Sequence, residues 1–300
     1  MIGIVTVLYN SEAVLSDYFT SLENQSYKEF ILYIIDNKSQ DNSLAVAEEL
    51  SKRSSYKCVF LPQEENWGVA KGNNIGIKRA INDGCDYILL SNNDVVLEND
   101  SIEQLFNGLL LMKASLAVPK IYYFGTDKLI WSAGGYFRIW HGDNPHIGKR
   151  IHDNGQYDTA CYTDYSPTCF MLINKDVFHK VGYMDENFFV YYDDADFVWR
   201  ALRIHKNRMA YIPSSIIWHK ESYSTGGTKS NFYIHYYSRN SVYFVRKHYN
   251  LFQKALYFSY LILQYIFRSK LCFNEEQRLL YKKSCVEGWN YYNERKNDYR

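Results

Sequence analysis

No stretch of this sequence carries the roughly 20 consecutive apolar residues of a membrane-spanning helix, its cysteines form no CxxC pair, and charge of neither sign dominates. Each absence excludes something. Without a spanning run, the chain is not expected to cross a bilayer as a helix. The six cysteines (Cys58, Cys85, Cys161, Cys169, Cys272 and Cys285) lie in or beside apolar stretches, where a thiol acts as a small hydrophobe. This pattern predicts a reducing compartment. With 34 Lys and Arg against 33 Asp and Glu, the net charge is +1, so no global field draws the chain to nucleic acid or to an acidic substrate. The chain begins at once with Ile2-Gly3-Ile4-Val5-Thr6-Val7, with no basic n-region or cleavage site, so no signal peptide is expected. The expected location is the cytoplasm, including the cytosolic face of the cell membrane. No Walker sequence or G-x-G-x-x-G follows the first apolar run, which weakens P-loop and dinucleotide-dehydrogenase readings.

What is present is enough for a large core. A chain of 300 residues with 47% hydrophobic content suits one large α/β domain, alone or with an appendage. Its 17% aromatic content, with 29 tyrosines, suits sugar-stacking surfaces or a membrane interface, and equally an AT-rich coding bias. Continuous apolar, β-branched runs at 2–8, 30–35, 56–61 and 87–91 read as buried parallel strands, with helical periodicity from Val14 to Leu22 (Ser11 as its cap) and over 43–53. This alternation predicts a doubly wound, mostly parallel sheet, whose ligands bind beyond the carboxyl ends of the strands.

Asn10, Asp36 and Asn92-Asn93-Asp94 fall at those ends. Singly, Asn and Asp are turn formers. Together, at successive strand ends, they point to contacts with a nucleotide base and ribose, and Asn93-Asp94 is the natural place for a divalent cation completed by a diphosphate. The stretch 66–76, with Gly68, Gly72 and Gly76, reads as a small-residue loop running into a helix. Either its glycines allow close packing, or Asn66 and Asn73 flank a backbone that approaches a diphosphate or sugar. Gly134-Gly135, after Trp131, gives tight backbone access to a ligand or a hairpin turn.

In the second half, a strand is expected over 166–174, a helix over 175–181, and separate strands over 208–212 and 215–219, with a mobile loop over 141–157. The organising stretch is Phe188–Arg200, where an aromatic run lands on Asp193, Asp194 and Asp196 as a helical pattern begins. First-turn acids cap helices. Crowded carboxylates beside aromatic bulk also repel one another and lose water, which raises at least one toward a useful general base. Trp199 and Arg200 follow as acceptor-side candidates. His219, at a strand end, is a structural histidine or a metal ligand, and an imidazole would tilt the ion from Mg²⁺ toward Mn²⁺. Residues 221–229 read as a lid. Residues 232–249 are helical, and the apolar run 255–267, followed by Arg268 and Lys270, is either a packed C-terminal helix or an interfacial one.

Val5-Thr6-Val7-Leu8-Tyr9-Asn10, Asp36 through Asp41, Asn66 through Gly76, Asn92-Asn93-Asp94, Gly134-Gly135, Tyr192 through Arg200 and Trp218-His219 occur in an order that resembles the family 2 inverting glycosyltransferases of the glycosyltransferase-A fold, closest to the rhamnosyltransferase-like and galactofuranosyltransferase-like branch. The resemblance covers about residues 1–250. It implies that Thr6, Leu8, Asn10 and Asp36 hold the nucleoside, that Asp94 and His219 bind Mn²⁺ or Mg²⁺, that Asp194 is the general base, and that Asp193 places the acceptor hydroxyl. Asn92 stands where the family's Asp-x-Asp has its first acid, leaving one carboxylate instead of two.

The expected organisation is a catalytic domain over 1–250, with a nucleotide-sugar half (1–120) and an acceptor half (121–250), and a helical region over 251–300 for membrane or subunit contact. The expected partners are a nucleotide-sugar donor and a saccharide or lipid-linked saccharide acceptor. A peripheral membrane contact through 251–270 and a homo-oligomer are further expectations. The alternatives are a catalytically degenerate sugar-binding subunit of a glycan-assembly complex and a nucleotidyltransferase. The intact acid pair argues against the first, and the lack of a basic phosphate loop after the first strand argues against the second.

Overall fold

The computed structural model describes residues 1–220, 230–268 and 273–295. The lid expected over 221–229, Lys270 and the Arg268 side chain lie outside the described residues. The chain divides into two compact units, one comprising Met1–Tyr136, His146–Phe189 and Asp193–Ser224, the other Phe137–Pro145, Val190–Tyr192 and Thr225–Arg300.

The first unit is built on β1 (Ile2–Leu8), β2 (Phe30–Asp36), β3 (Lys57–Phe60) and β4 (Tyr87–Ser91), with α1 (Glu12–Glu23), α2 (Ser43–Ser51) and α3 (Gly68–Asn82) between them. Next come β5 (Val95–Leu97), α4 (Ser101–Leu111), β6 (Leu116–Tyr123), β7 (Ile130–Ser132), β8 (Cys161–Tyr162), β9 (Phe170–Asn174), α5 (Lys175–Val181), α6 (Asp193–Trp199) with a π-helical turn over Arg200–Ile204, and β10 (Met209–His219). The sheet runs β3-β2-β1-β4-β9-β6-β10-β5, with β7 on β6 and β8 on β10. Strands β3, β2, β1 and β4 are mutually parallel, as the buried apolar runs require, and the α/β architecture is the one expected.

Five features differ from the sequence reading. Strand β9 is antiparallel between β4 and β6. The two strands expected at 208–212 and 215–219 are one strand, β10, whose pairing with β6 slips between Ile212 and Ile216. The glycine stretch is helix, not loop, from Gly68 onward. There Gly72 and Gly76 face β1, where an added Cβ would meet Val7 at 2.9 Å and Val5 at 2.4 Å, so the packing reading holds for both. Ser11 occupies the N-cap of α1 without a capping side-chain bond. Its hydroxyl instead accepts from the Tyr9 N–H. Cys161 is exposed on β8, where the sequence pattern predicts a thiol acting as a small hydrophobe in or beside an apolar stretch.

The core lies under β1, β2 and β4, where Ile4, Leu8, Leu32, Ile34 and Leu89 are fully buried with Leu15 and Leu22 of α1. Each such side chain contributes about 1.5–3 kcal/mol by leaving water.

The second unit is helical: α7 (Asn231–His248), α8 (Leu251–Leu263), continued as a π-helix over Gln264–Arg268, and α9 (Glu275–Arg295). Ser230 caps α7 through the Tyr233 N–H, and Asn250 with Gln253 forms a capping box on α8. Among the described residues, no helix is long and apolar enough to cross a membrane.

Candidate active site

The strand ends build the first part of the site. Leu8 and Asp36 are in register at the ends of β1 and β2, and Asn37 donates its backbone N–H to the Leu8 carbonyl. Asp36 is buried, and one of its carboxylate oxygens accepts from the Ser39 N–H at 3.2 Å. The other, Oδ1, is buried with no partner, as is Asn37 Oδ1. Buried acceptors in native structures are bonded as a rule, so two orphans on consecutive residues at the end of β2 make this strand end a candidate for receiving donors of a ligand. Asn37 escaped the sequence reading, although it adjoins Asp36.

The other residues expected at the nucleoside divide by geometry. Thr6 is buried in β1. The Leu8 side chain belongs to the core cluster. Asn10 is exposed, has a left-handed φ of 52° and accepts from the Gln40 N–H, tying the loop after β1 to the loop after β2. Asn66 accepts from the Gly68 N–H and Asn73 is buried within α3. Asn92 is exposed, while Asn93 donates to the Val7 carbonyl at 2.7 Å and joins the ends of β4 and β1.

Strand pairing brings the metal candidates together. His219 lies opposite Val95 in the antiparallel pairing of β10 with β5, which sets it beside Asp94. His219 Nε2 stands 3.4 Å from Asp94 Oδ1, and both atoms are buried without a hydrogen bond. Among the described residues, no three His, Cys, Asp or Glu side chains converge as a metal cage. A hard cation held by one carboxylate and one imidazole, with phosphate oxygens and water in its remaining positions, fits this donor pair and would satisfy both orphan atoms. Trp131 of β7 packs its ring 4.5 Å from that of His219, centre to centre. On its other flank His146 reaches the Trp131 carbonyl at 3.2 Å, and burial pushes the His146 imidazole down to about 4.

The acid pair opens α6 after two consecutive left-handed residues, Tyr191 and Tyr192, with φ of 62° and 66°. Such backbone costs of order 1–3 kcal/mol per residue. Burial, then the neighbouring Asp194 charge, holds the Asp193 carboxyl well above the usual carboxylate range. Burial raises Asp194 as well, against the opposing pull of a hydrogen bond from the Tyr165 hydroxyl, 2.5 Å from Asp194 Oδ2. Asp194 Oδ1 accepts from the Ala195 N–H. Asp194 is also the less buried of the two acids. Asp196 plays a different part: fully buried, it pairs with Arg200 at 2.8 Å, and that guanidinium also bonds the carbonyls of Val181 and Tyr183. Arg200, expected on the acceptor side, is therefore a clamp within the fold. Trp199 is buried beside it in sequence.

Gly134 and Gly135 hold the segment that delivers Tyr165. Gly134 has a φ of +85°, and a Cβ there would lie 2.6 Å from Thr163 Oγ1. Gly135 receives the Tyr165 N–H on its carbonyl at 3.0 Å. Nothing in the local pattern around Tyr165 announces a partner twenty-nine positions ahead. Burial, with the carboxylates of Asp94 and Asp194, holds the buried Cys169 thiol well above its ordinary range. A series of ring contacts, His219 to Trp131 at 4.5 Å, Trp131 to His146 at 4.5 Å and His146 to Tyr165 at 6.1 Å between centres, joins the side of Asp94 to that of Asp194.

Over residues 3–182 the sequence matches Glycosyl transferase family 2. The chain belongs to that family. Among its relatives, the low-salt glycan biosynthesis hexosyltransferase Agl10 of Haloferax volcanii is 24% identical over 211 residues, covering 69% of this chain and 63% of the relative. The dTDP-rhamnosyl transferase RfbF of Shigella flexneri is 26% identical over 200 residues, covering 66% and 62%. The chain thus spans less than two thirds of the length of either. Among solved structures, residues 1–349 of S. aureus TarS superpose with a TM-score of 0.61 at 12% identity, covering 96% of this chain and 79% of that one. GalNAc-T7, in a structure with UDP, GalNAc and Mn²⁺, gives 0.66 at 14% identity, covering 86% and 49%. At these identities the likeness is one of fold, and it is the glycosyltransferase-A fold expected for this family 2 chain.

Proposed function

We propose that the chain is an inverting glycosyltransferase that moves a sugar from a nucleoside-diphosphate sugar, dTDP-rhamnose or a UDP-sugar, to a hydroxyl of a cell-surface glycan or lipid-linked saccharide. The observation that carries the reading is the series of ring contacts, with the Asp94–His219 pair at one end and the raised carboxyl of Asp194, bonded by Tyr165, at the other. The name of the Shigella relative supports dTDP-rhamnose as donor. In this reading residues 1–120 receive the nucleotide sugar and 121–250 the acceptor, with α7 belonging to the same helical unit as α8 and α9.

The reaction is a single displacement. The acceptor oxygen forms a bond to the anomeric carbon from the face opposite the diphosphate, through an oxocarbenium-like transition state, while the bond from that carbon to the phosphate oxygen breaks and its electron pair leaves with the nucleoside diphosphate. Asp194 Oδ accepts the proton of the acceptor hydroxyl. Tyr165 keeps one oxygen of that carboxylate occupied and fixes its plane, and Asp193 places the hydroxyl. The buried acceptors Asp36 Oδ1 and Asn37 Oδ1 receive donors of the nucleoside. Asp94 and His219 would hold a divalent cation, which supplies neutralisation of the charge on the diphosphate.

Calorimetric titration with UDP-, dTDP- and GDP-sugars, with and without Mn²⁺, tests the donor, and release of nucleoside diphosphate in the presence of acceptor tests transfer. Asp194→Asn should bind donor and transfer nothing. Substantial transfer by that variant removes Asp194 from the base role, and donor binding without turnover by the unaltered chain favours a sugar-binding subunit.

A further inference from the structure

The second unit presents a helix face of unusual composition. On α8, Leu251, Phe252, Leu256, Ile262 and Leu263 are exposed by between 41% and 87%, and at 3.6 residues per turn they fall within about 140° of arc. Phe267, in the π-helical continuation, is 66% exposed. No charged residue occurs from Ala255 to Phe267. The helix is not loosely attached within its own unit. Tyr257, on the opposite face, is buried and meets the Ser241 hydroxyl at 2.9 Å, a Cβ on Gly142 would lie 2.5 Å from its ring, and the capping box fixes the first turn. The apolar side therefore points outward by construction, and among the described residues nothing covers it. Monomers seldom expose this many large apolar side chains on one helix face unless something binds there, and Ser259 is, among the described residues, the one exposed polar residue on that face.

Charge decides what that is. Residues 230–300 hold 12 Lys and Arg against 5 Asp and Glu, a surplus of seven positive charges in a chain whose net charge is +1. Lys254 lies on α8 itself, lowered by burial and by repulsion from Arg246 nearby, and Arg246, Lys247 and His248 end the preceding helix. Two such units brought face to face would repel. An anionic bilayer would attract the basic groups to its headgroups and take the apolar face into its acyl boundary.

We propose that the exposed face of α8 docks on an anionic lipid surface, with the helix lying in the interface and not crossing it. The test is co-sedimentation of the full chain with phosphatidylcholine vesicles and with vesicles holding about 30% phosphatidylglycerol. The chain should partition onto the anionic vesicles, more weakly onto the neutral ones, and less as salt is raised. Replacing both Phe252 and Leu263 by Gln should lower the partition coefficient at least about tenfold, with the thermal midpoint of the variant checked against the parent. Absence of the parent chain from the anionic vesicles overturns the proposal, whatever the variant does. Equal binding of parent and variant at equal thermal midpoint overturns the role of α8. Concentration-dependent dimerisation that the double variant abolishes, seen by light scattering without lipid binding, assigns the face to a second copy instead.

Discussion

The Tyr165 hydroxyl donates to Asp194 Oδ2 at 2.5 Å, across a segment boundary that Gly134, Gly135 and Thr163 hold closed. Burial keeps the phenol protonated and hence a donor. Its bond favours the ionised carboxylate, and so opposes the burial that raises Asp194. Asp193 and Cys169 also face Asp194. A base works when deprotonated, so the rate should rise with pH through the Asp194 titration. Tyr165→Phe removes the opposing pull, and the acidic limb of the pH–rate profile should move to higher pH while neutral-pH kcat falls roughly tenfold through lost orientation. A profile that keeps its shape and position would assign Tyr165 to packing alone.

Asp94→Ala and His219→Ala each remove one of the two facing side chains proposed to hold the cation. Metal affinity in the presence of donor should weaken by at least about 10–100-fold in either variant, read by Mn²⁺ titration of donor binding. A variant that keeps the parent's metal dependence would show that the cation is held elsewhere.

Lys120 is a buried cation, 2.7 Å from the buried Asp153 and paired also with Asp158. Burial alone would raise Asp153, yet Lys120 and Tyr122 hold its carboxyl below the usual range. A depressed folded-state carboxyl contributes stability above its unfolded titration, and loses it as pH falls through the folded one. Lys120→Met should therefore cost about 3–5 kcal/mol at neutral pH, because Asp153 is left uncompensated, and the loss measured by urea denaturation should shrink in acid. A neutral substitution would mean that Asp153 reaches solvent.

Gly76→Ala would set a methyl 2.4 Å from Val5 Cγ1 and 2.6 Å from Ile35 Cδ1. Overpacking of that order costs about 1–3 kcal/mol, and denaturation midpoints should fall accordingly. An unchanged midpoint would show that α3 can lift from the sheet.

The parallel half of the sheet was legible because β1, β2 and β4 are continuous apolar runs with polar residues at their ends, a pattern set locally. The same rule placed Asp36 and Asp94 after strands, and an aromatic run meeting a helical pattern placed the acid pair at the start of α6. Neither signal could place Tyr165, Asn37 or Cys169, whose roles depend on which segments the fold lays side by side. The acids of α6 also look alike in sequence. Asp196 differs from Asp194 only because Arg200 comes round one helical turn later and binds it, and that neighbour, read from the sequence as an acceptor residue, is committed to the fold.

The slip in β10 sets a phase. Upstream, Ile212 aligns with Pro119; downstream, Ile216 aligns with Lys120, so three residues of β10 are passed without advancing β6 by more than one. Burial is continuous before the slip and alternates after it, with Ile217 and His219 on the covered side. Because side chains alternate with period two, a shift of Ile216–His219 by one residue against β5 and β6 would turn His219 away from Asp94. The register of that short stretch acts as a reading frame for the imidazole, and a one-residue shift there is the change this site can least absorb.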